Sequence, residues 1–171
     1  MMNPFCIVPE CFAETRVVEL VLRLNQIPNH QHSNGDVINT FEERLKNYIA
    51  VGIIDEDADK GSKPSKLADY HRIKSNANNT LDLFKHPDRA NYIIKIKPEI
   101  EKFLVSVARE SNINPIDYNL PADFLGLCEF TKSKNIRSNN DFTRCIKAMI
   151  KAEAPSLIDL KNWIEEIFRQ Q

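Results

Sequence analysis

Asp55, Glu56, Asp57 and Asp59 place four acids within five residues, directly after the apolar run Ile49-Ala-Val-Gly-Ile-Ile54. Carboxylates a few Å apart repel by roughly 1–4 kcal/mol at effective dielectrics between water and a protein surface. Such a cluster needs solvent, a proton or a cation, and oxygen-only ligands suit a hard divalent ion. Glu10 is an acid in the same kind of place, because it follows a second short apolar run, Phe5-Cys-Ile-Val8, closed by Pro9. In an α/β protein, ligands bind beyond the carboxyl ends of buried strands. Asp55 and Asp57 share a side if extended geometry persists past the strand end. One metal could then be held by Asp55 and Asp57, with Glu10 completing the shell or moving a proton as general acid or base.

Those acids need elements to hold them. Residues 49–54 are too few to cross a membrane, and their Ile and Val content favours a buried strand. Val17, Leu20, Val21 and Leu24 follow the i, i+3, i+4, i+7 spacing, which predicts a helix over residues 13–25. Glu10 and Glu14 then sit where a strand turns into a helix, and acids there also suit the positive helix N-terminus by about 0.3–1 kcal/mol. Residues 26–35 are polar and contain His30 and His32; an exposed loop is expected, with only a weak strand signal. A helix over 36–48 carries Val37, Phe41, Leu45 and Tyr48. If the first strand and the 49–54 strand are parallel neighbours, joined by these helices, Glu10 and Asp55 emerge at one sheet edge.

Residues 60–74 read as a positively biased loop or short helix with Lys60, Lys63, Lys66, Arg72 and Lys74. Thr80-Leu-Asp-Leu-Phe84 and Tyr92-Ile-Ile-Lys-Ile-Lys97 are two further strands. Pro98 opens a helix whose stripe is Ile100, Phe103, Leu104, Val107 and Ala108. Ten basic residues face five acids between Lys60 and Lys102, a candidate phosphate-tracking face or simply a solvated one. Three helices complete the chain: one over 121–132, one after the capping signal Ser138-Asn-Asn-Asp141, and one from Pro155 that includes Trp163 and Phe168. Their apolar stripes read as packing surfaces.

The 171 residues suit one domain with an appendage. A net charge of -1 excludes a polybasic, histone-like binder but not a local basic face. Cys6, Cys11, Cys128 and Cys145 form no CxxC pair and have no His at zinc-finger spacing, so free thiols are expected, with only Cys11 near the acids. No basic segment precedes an apolar core at the start, and no stretch is long enough to span a bilayer, so a cytoplasmic protein without membrane attachment is expected.

Val8-Pro-Glu10-Cys-Phe-Ala-Glu14 resembles the Val-Glu-Gly-x-x-Glu strand-end motif of Toprim domains. Ile53-Ile-Asp55-Glu-Asp57-Ala-Asp59-Lys-Gly61 resembles their Asp-x-Asp motif, and Pro98-Glu99-Ile-Glu101-Lys-Phe103 a helix segment of small stand-alone Toprim-like proteins. The resemblance implies a Rossmann-like α/β three-layer sandwich with a mostly parallel sheet over residues 1–112 and a helical C-terminal extension over 113–171. It implies Mg2+ (or Mn2+) bound by Asp55 and Asp57, with Asp59 as a further ligand. Glu10 takes the acid/base position, Glu14 the second acid of that motif, and Glu99 or Glu101 the later acid. The implied activity is metal-dependent phosphodiester chemistry on nucleic acid, as in nucleases of phage defence or DNA repair. Cys11 stands where the motif has Gly, and Phe103 where the segment has Trp. No GxxxxGK[ST] sequence occurs, so any ATPase partner would be a separate chain.

Two alternatives stay open. A receiver-like domain would use Asp55 as phosphoacceptor and Lys97, ahead of Pro98, to pair with the phosphate. A degenerate Toprim-like protein would bind metal or a partner and cut nothing.

Overall fold

The computed structural model describes residues 2–56, 66–133 and 135–169. Five strands form one sheet: β1 (Ile7–Pro9), β2 (Ala50–Asp55), β3 (His71–Ser75), β4 (Leu81–Lys85) and β5 (Asn91–Ile96), in the order β1-β2-β5-β4-β3. Two helices, α1 (Phe12–Leu22) and α2 (Asn34–Glu43), connect β1 to β2. The rest are α3 (Ile100–Glu110), α4 (Phe124–Thr131), α5 (Asn140–Lys151) and α6 (Pro155–Arg169).

The α/β class read from the sequence holds, but the sheet is mixed. β1 and β5 flank β2 in parallel, with Ile7 opposite Val51 and Asp55 opposite Ile96. β4 runs antiparallel to β5 and to β3. Only five residues separate β3 from β4, and five separate β4 from β5, a span that permits a hairpin and no parallel crossover. β3 is the strand that sequence reading missed in the 60–74 segment. His71, Arg72, Ile73 and Ser75 are exposed, and the register slips between Arg72 and Lys74, so no burial alternation marks it. The 26–35 segment contains no strand. It runs beside β1 through one hydrogen bond, from the Gln31 N–H to the Pro9 carbonyl at 3.0 Å.

Every residue of β2 from Ala50 to Ile54 is buried, as expected when helices cover both faces of a parallel strand. Gly52 shows how closely α2 lies on one face. A Cβ there would come within 2.6 Å of Val37 and 2.8 Å of Ile93, closer than packed carbons tolerate. α1 packs against α5 and α6, and α3 against α4 and α6. Leu157, Leu160 and Ile164 of α6 belong to the same buried cluster as Val17 of α1 and Phe103 of α3.

Candidate functional site

Pairing of β1 with β2 brings the two strand-end acids together. The Asp55 N–H donates to Glu10 Oε2 at 3.1 Å, across 45 positions of sequence. Behind them, Cys11 is the N-cap of α1, and Glu14 closes a capping box. Glu14 Oε2 accepts from the Glu10 and Cys11 N–H groups at 2.9 and 3.0 Å, while Cys11 Sγ accepts from the Glu14 N–H at 3.4 Å. Two donors at the helix start are thus satisfied by one fully buried carboxylate.

The other oxygens carry the chemistry. Glu14 Oε1 and Asp55 Oδ1 are buried and have no hydrogen-bond partner unless a proton or cation lies at them. Burial raises the Glu14 acid well above the usual carboxylate range. The charges of Asp55 and Glu10 and a hydrogen bond to Asp55 add to that, and the Cys11 N–H works against it. Asp55 is pushed up to about 7. Burial is the main cause, opposed by hydrogen bonds from Glu14 and the Ile100 N–H and reinforced by the charges of Glu10 and Glu101. With no cation present, the protonated Glu14 donates to Asp55, so the pair holds at least one proton at neutral pH.

Glu10 and Asp55 open into a cavity of about 260 Å³, with Phe12, His30, Glu101 and Lys132 also in its lining. Glu101 accepts a hydrogen bond from the Thr131 hydroxyl. Glu99 does not line the cavity and is ion-paired with Lys102 at 2.7 Å. Lys97 is likewise placed elsewhere: its ammonium lies 3.0 Å from the buried carboxylate of Asp82. Asp57 and Asp59 lie outside the described residues. Among the described residues, no three His, Cys, Asp or Glu side chains converge closely enough to hold an ion by themselves. The donors present still fit a hard divalent cation in type, since they are carboxylate oxygens and two of them, buried, have only a shared proton between them. Cys11 is no nucleophile. Burial, then the Glu14 and Asp55 charges, push its thiol well up against a smaller opposing effect of neighbouring N–H groups, so the thiolate is not formed.

His30 is the residue that sequence reading left in solvent. Its ring stacks on Phe12 at 4.0 Å between centroids, and His32 meets it edge-on at 5.0 Å. The Thr15 hydroxyl donates to the Cys11 carbonyl at 2.7 Å, so the hydrogen in the 3.2 Å contact between Thr15 and His30 belongs to His30 Nδ1. Nε2 is then a bare acceptor, buried and without a partner. Burial, His32 and Arg137 lower the imidazole's proton affinity, with only the Cys11 carbonyl opposing, so His30 is neutral at pH 7. The one sequence cue was Ile27, an isolated apolar residue in a polar stretch, which anchors the segment in the core.

Part of the basic run between Lys60 and Lys102 is committed to ion pairs. Arg72 and Lys97 pair with Asp82, Lys74 with Glu166 and Lys102 with Glu99. Lys60 and Lys63 fall outside the described residues. No helix of the described residues is long and apolar enough to cross a membrane. No protein-family model, no curated protein and no solved structure gives a significant match to the chain.

Proposed function

We propose that this chain performs Mg2+-dependent phosphodiester chemistry on nucleic acid, as a nuclease-like protein of Toprim type. The observation that carries the reading is the junction of Glu10, Glu14 and Asp55 at the carboxyl ends of two neighbouring parallel strands. That junction includes two buried carboxylate oxygens whose contact needs a shared proton or a cation. Asp55 and Asp57 would hold the cation, with Asp59 as an additional ligand. The cation, when bound, neutralises the scissile phosphate and the charge that develops on it. Glu10, fixed by the Asp55 N–H, moves the proton of the attacking water. Glu14 keeps the start of α1 in register. Glu101 borders the cavity and is the later acid of the resemblance, whereas Glu99 is spent on Lys102.

A phosphoacceptor role for Asp55 needs Lys97 beside it, and Lys97 is committed to Asp82, so we do not adopt that alternative. The nuclease reading is tested with supercoiled plasmid and single-stranded RNA in Mg2+ or Mn2+, against an EDTA control. Glu10→Gln and Asp55→Asn are expected to lower cleavage by roughly 100-fold or more, the scale of losing an acid/base group or a metal. Cleavage that survives both substitutions unchanged would come from a contaminant and remove the assignment.

A further inference from the structure

A cleft larger than the acid cavity lies apart from it. It has a volume of about 760 Å³ and lies between α1 and the C-terminal half of α5. Arg16 and Arg23 line one wall, and Lys147 and Lys151 the other. Leu20 and Ile150 give it a partly apolar floor. Its volume falls in the range of small-ligand pockets and would admit a nucleotide unit.

The charges in this cleft are not balanced. Only Glu19 and Glu153 oppose the four cations. Glu19 already answers Arg16, at 3.3 Å, and also Arg137. Arg16 is fixed in place, with Nε and Nη2 at 3.2 and 3.1 Å from the Thr143 hydroxyl. Arg23, Lys147 and Lys151 are exposed and have no ion-pair partner among the described residues. Cations near a helix C-terminus gain about 0.3–1 kcal/mol each from the dipole, which accounts for Arg23 and Lys151 one at a time. The dipole does not account for four cations on two helices facing one cleft.

Position supplies the second half of the argument. Cys11, Phe12 and Ala13, at the start of α1, line the acid cavity, and Arg16 lies one turn further along the same helix. Arg137 links the two places, because its charge acts on His30 in the cavity while its guanidinium contacts Glu19 at the cleft. The cleft and the acid cavity thus lie along the same helix, with Arg16 about one turn from Phe12.

We infer that the α1–α5 cleft binds the phosphate backbone of a nucleic-acid strand and delivers that strand to the acid cavity. This rests on the nucleic-acid reading above and adds the route by which the substrate reaches the site. Phosphate contacts of this kind position a strand without reading its sequence, so binding should be strongly salt-dependent and tolerant of sequence.

The test uses a fluorescein-labelled single-stranded oligonucleotide and anisotropy in EDTA, with full-length chains. The triple variant Arg23→Glu, Lys147→Glu, Lys151→Glu should bind at least about 10-fold more weakly than wild type. Its slope of log K against log salt should be shallower by about 2, at roughly 0.7 for each phosphate no longer neutralised. A control with Arg44→Glu, Lys46→Glu and Lys85→Glu carries the same net charge and should weaken binding far less. Absence of binding by wild type, or equal weakening in the two triple variants, would overturn the inference. Asp55→Asn separates the two proposals. Cleft-dependent binding with no Asp55-dependent cleavage would sink the catalytic reading and leave the cleft assignment intact. Asp55-dependent cleavage with no cleft dependence would do the opposite.

Discussion

Above pH 7, in EDTA, Asp55→Asn is expected to melt at a higher temperature than the wild type, although it removes a charge from the centre of the site. Asp55 is raised to about 7 in the folded protein, chiefly by burial, against roughly 3.9 in an unfolded chain. The folded state therefore keeps a proton that the unfolded state has already released. Stability from this group is intact below about pH 4. It declines as pH rises towards 7, by up to about 1.4 kcal/mol per pH unit, and is flat above that. The accumulated penalty is on the order of 4 kcal/mol, or roughly 8–16 °C for a chain of this size. Asparagine has no proton to lose, and it retains an oxygen for the Ile100 N–H and an amide for Glu14. The variant should match the wild type near pH 4 and exceed it at pH 8. Parallel melting profiles across that range would show that Asp55 is not a strained buried acid.

The second large effect lies outside the acid site. Glu19→Ala should destabilise the fold by about 3–5 kcal/mol, the usual result of breaking a buried ion pair from one side. Glu19 is 2 % exposed, and its carboxylate serves several groups at once. Oε1 accepts from the Ile27 N–H at 2.9 Å and from Arg137, and Oε2 lies 3.3 Å from Arg16. Arg137 Nη2 also donates to the Ile27 carbonyl at 3.1 Å, so one residue ties α1, the 27–30 segment and the turn before α5. Glu19→Gln keeps an acceptor for the Ile27 N–H and should cost less than the alanine variant. Urea unfolding measures both; a destabilisation below about 1 kcal/mol for alanine, the scale of an exposed pair, would mean that the cluster is not a structural tie.

The arrangement of β1, β2 and α1 was legible because its signals are local. The apolar runs stop at Pro9 and Asp55, and the α1 stripe has helical spacing. Parallel pairing of the two strands then follows from the helices between them, and with it the meeting of Glu10 and Asp55. β3 was not legible, since an exposed, bulged edge strand has no buried face to impose a period of two on its residues. The antiparallel half of the sheet was implicit in the short β3–β4 and β4–β5 connections, a cue of length rather than of residue type. His30 escaped because its partners Phe12 and Thr15 belong to another element, so neighbouring residues give no sign of the stack. Lys97 and Glu99 pair away from the acid cavity for a similar reason. Their partners, Asp82 and Lys102, are set by strand register and helix geometry that residue type alone does not reveal.

The central claim is that the Glu10–Asp55 junction is a cation site, and calorimetric titration of Mn2+ at pH 7, repeated in two buffers of different ionisation enthalpy, tests it most directly. A single site should bind with displacement of a proton from the Glu14–Asp55 pair, and Asp55→Asn should abolish the site. Equal binding by wild type and Asp55→Asn, or no binding by either, would contradict the account.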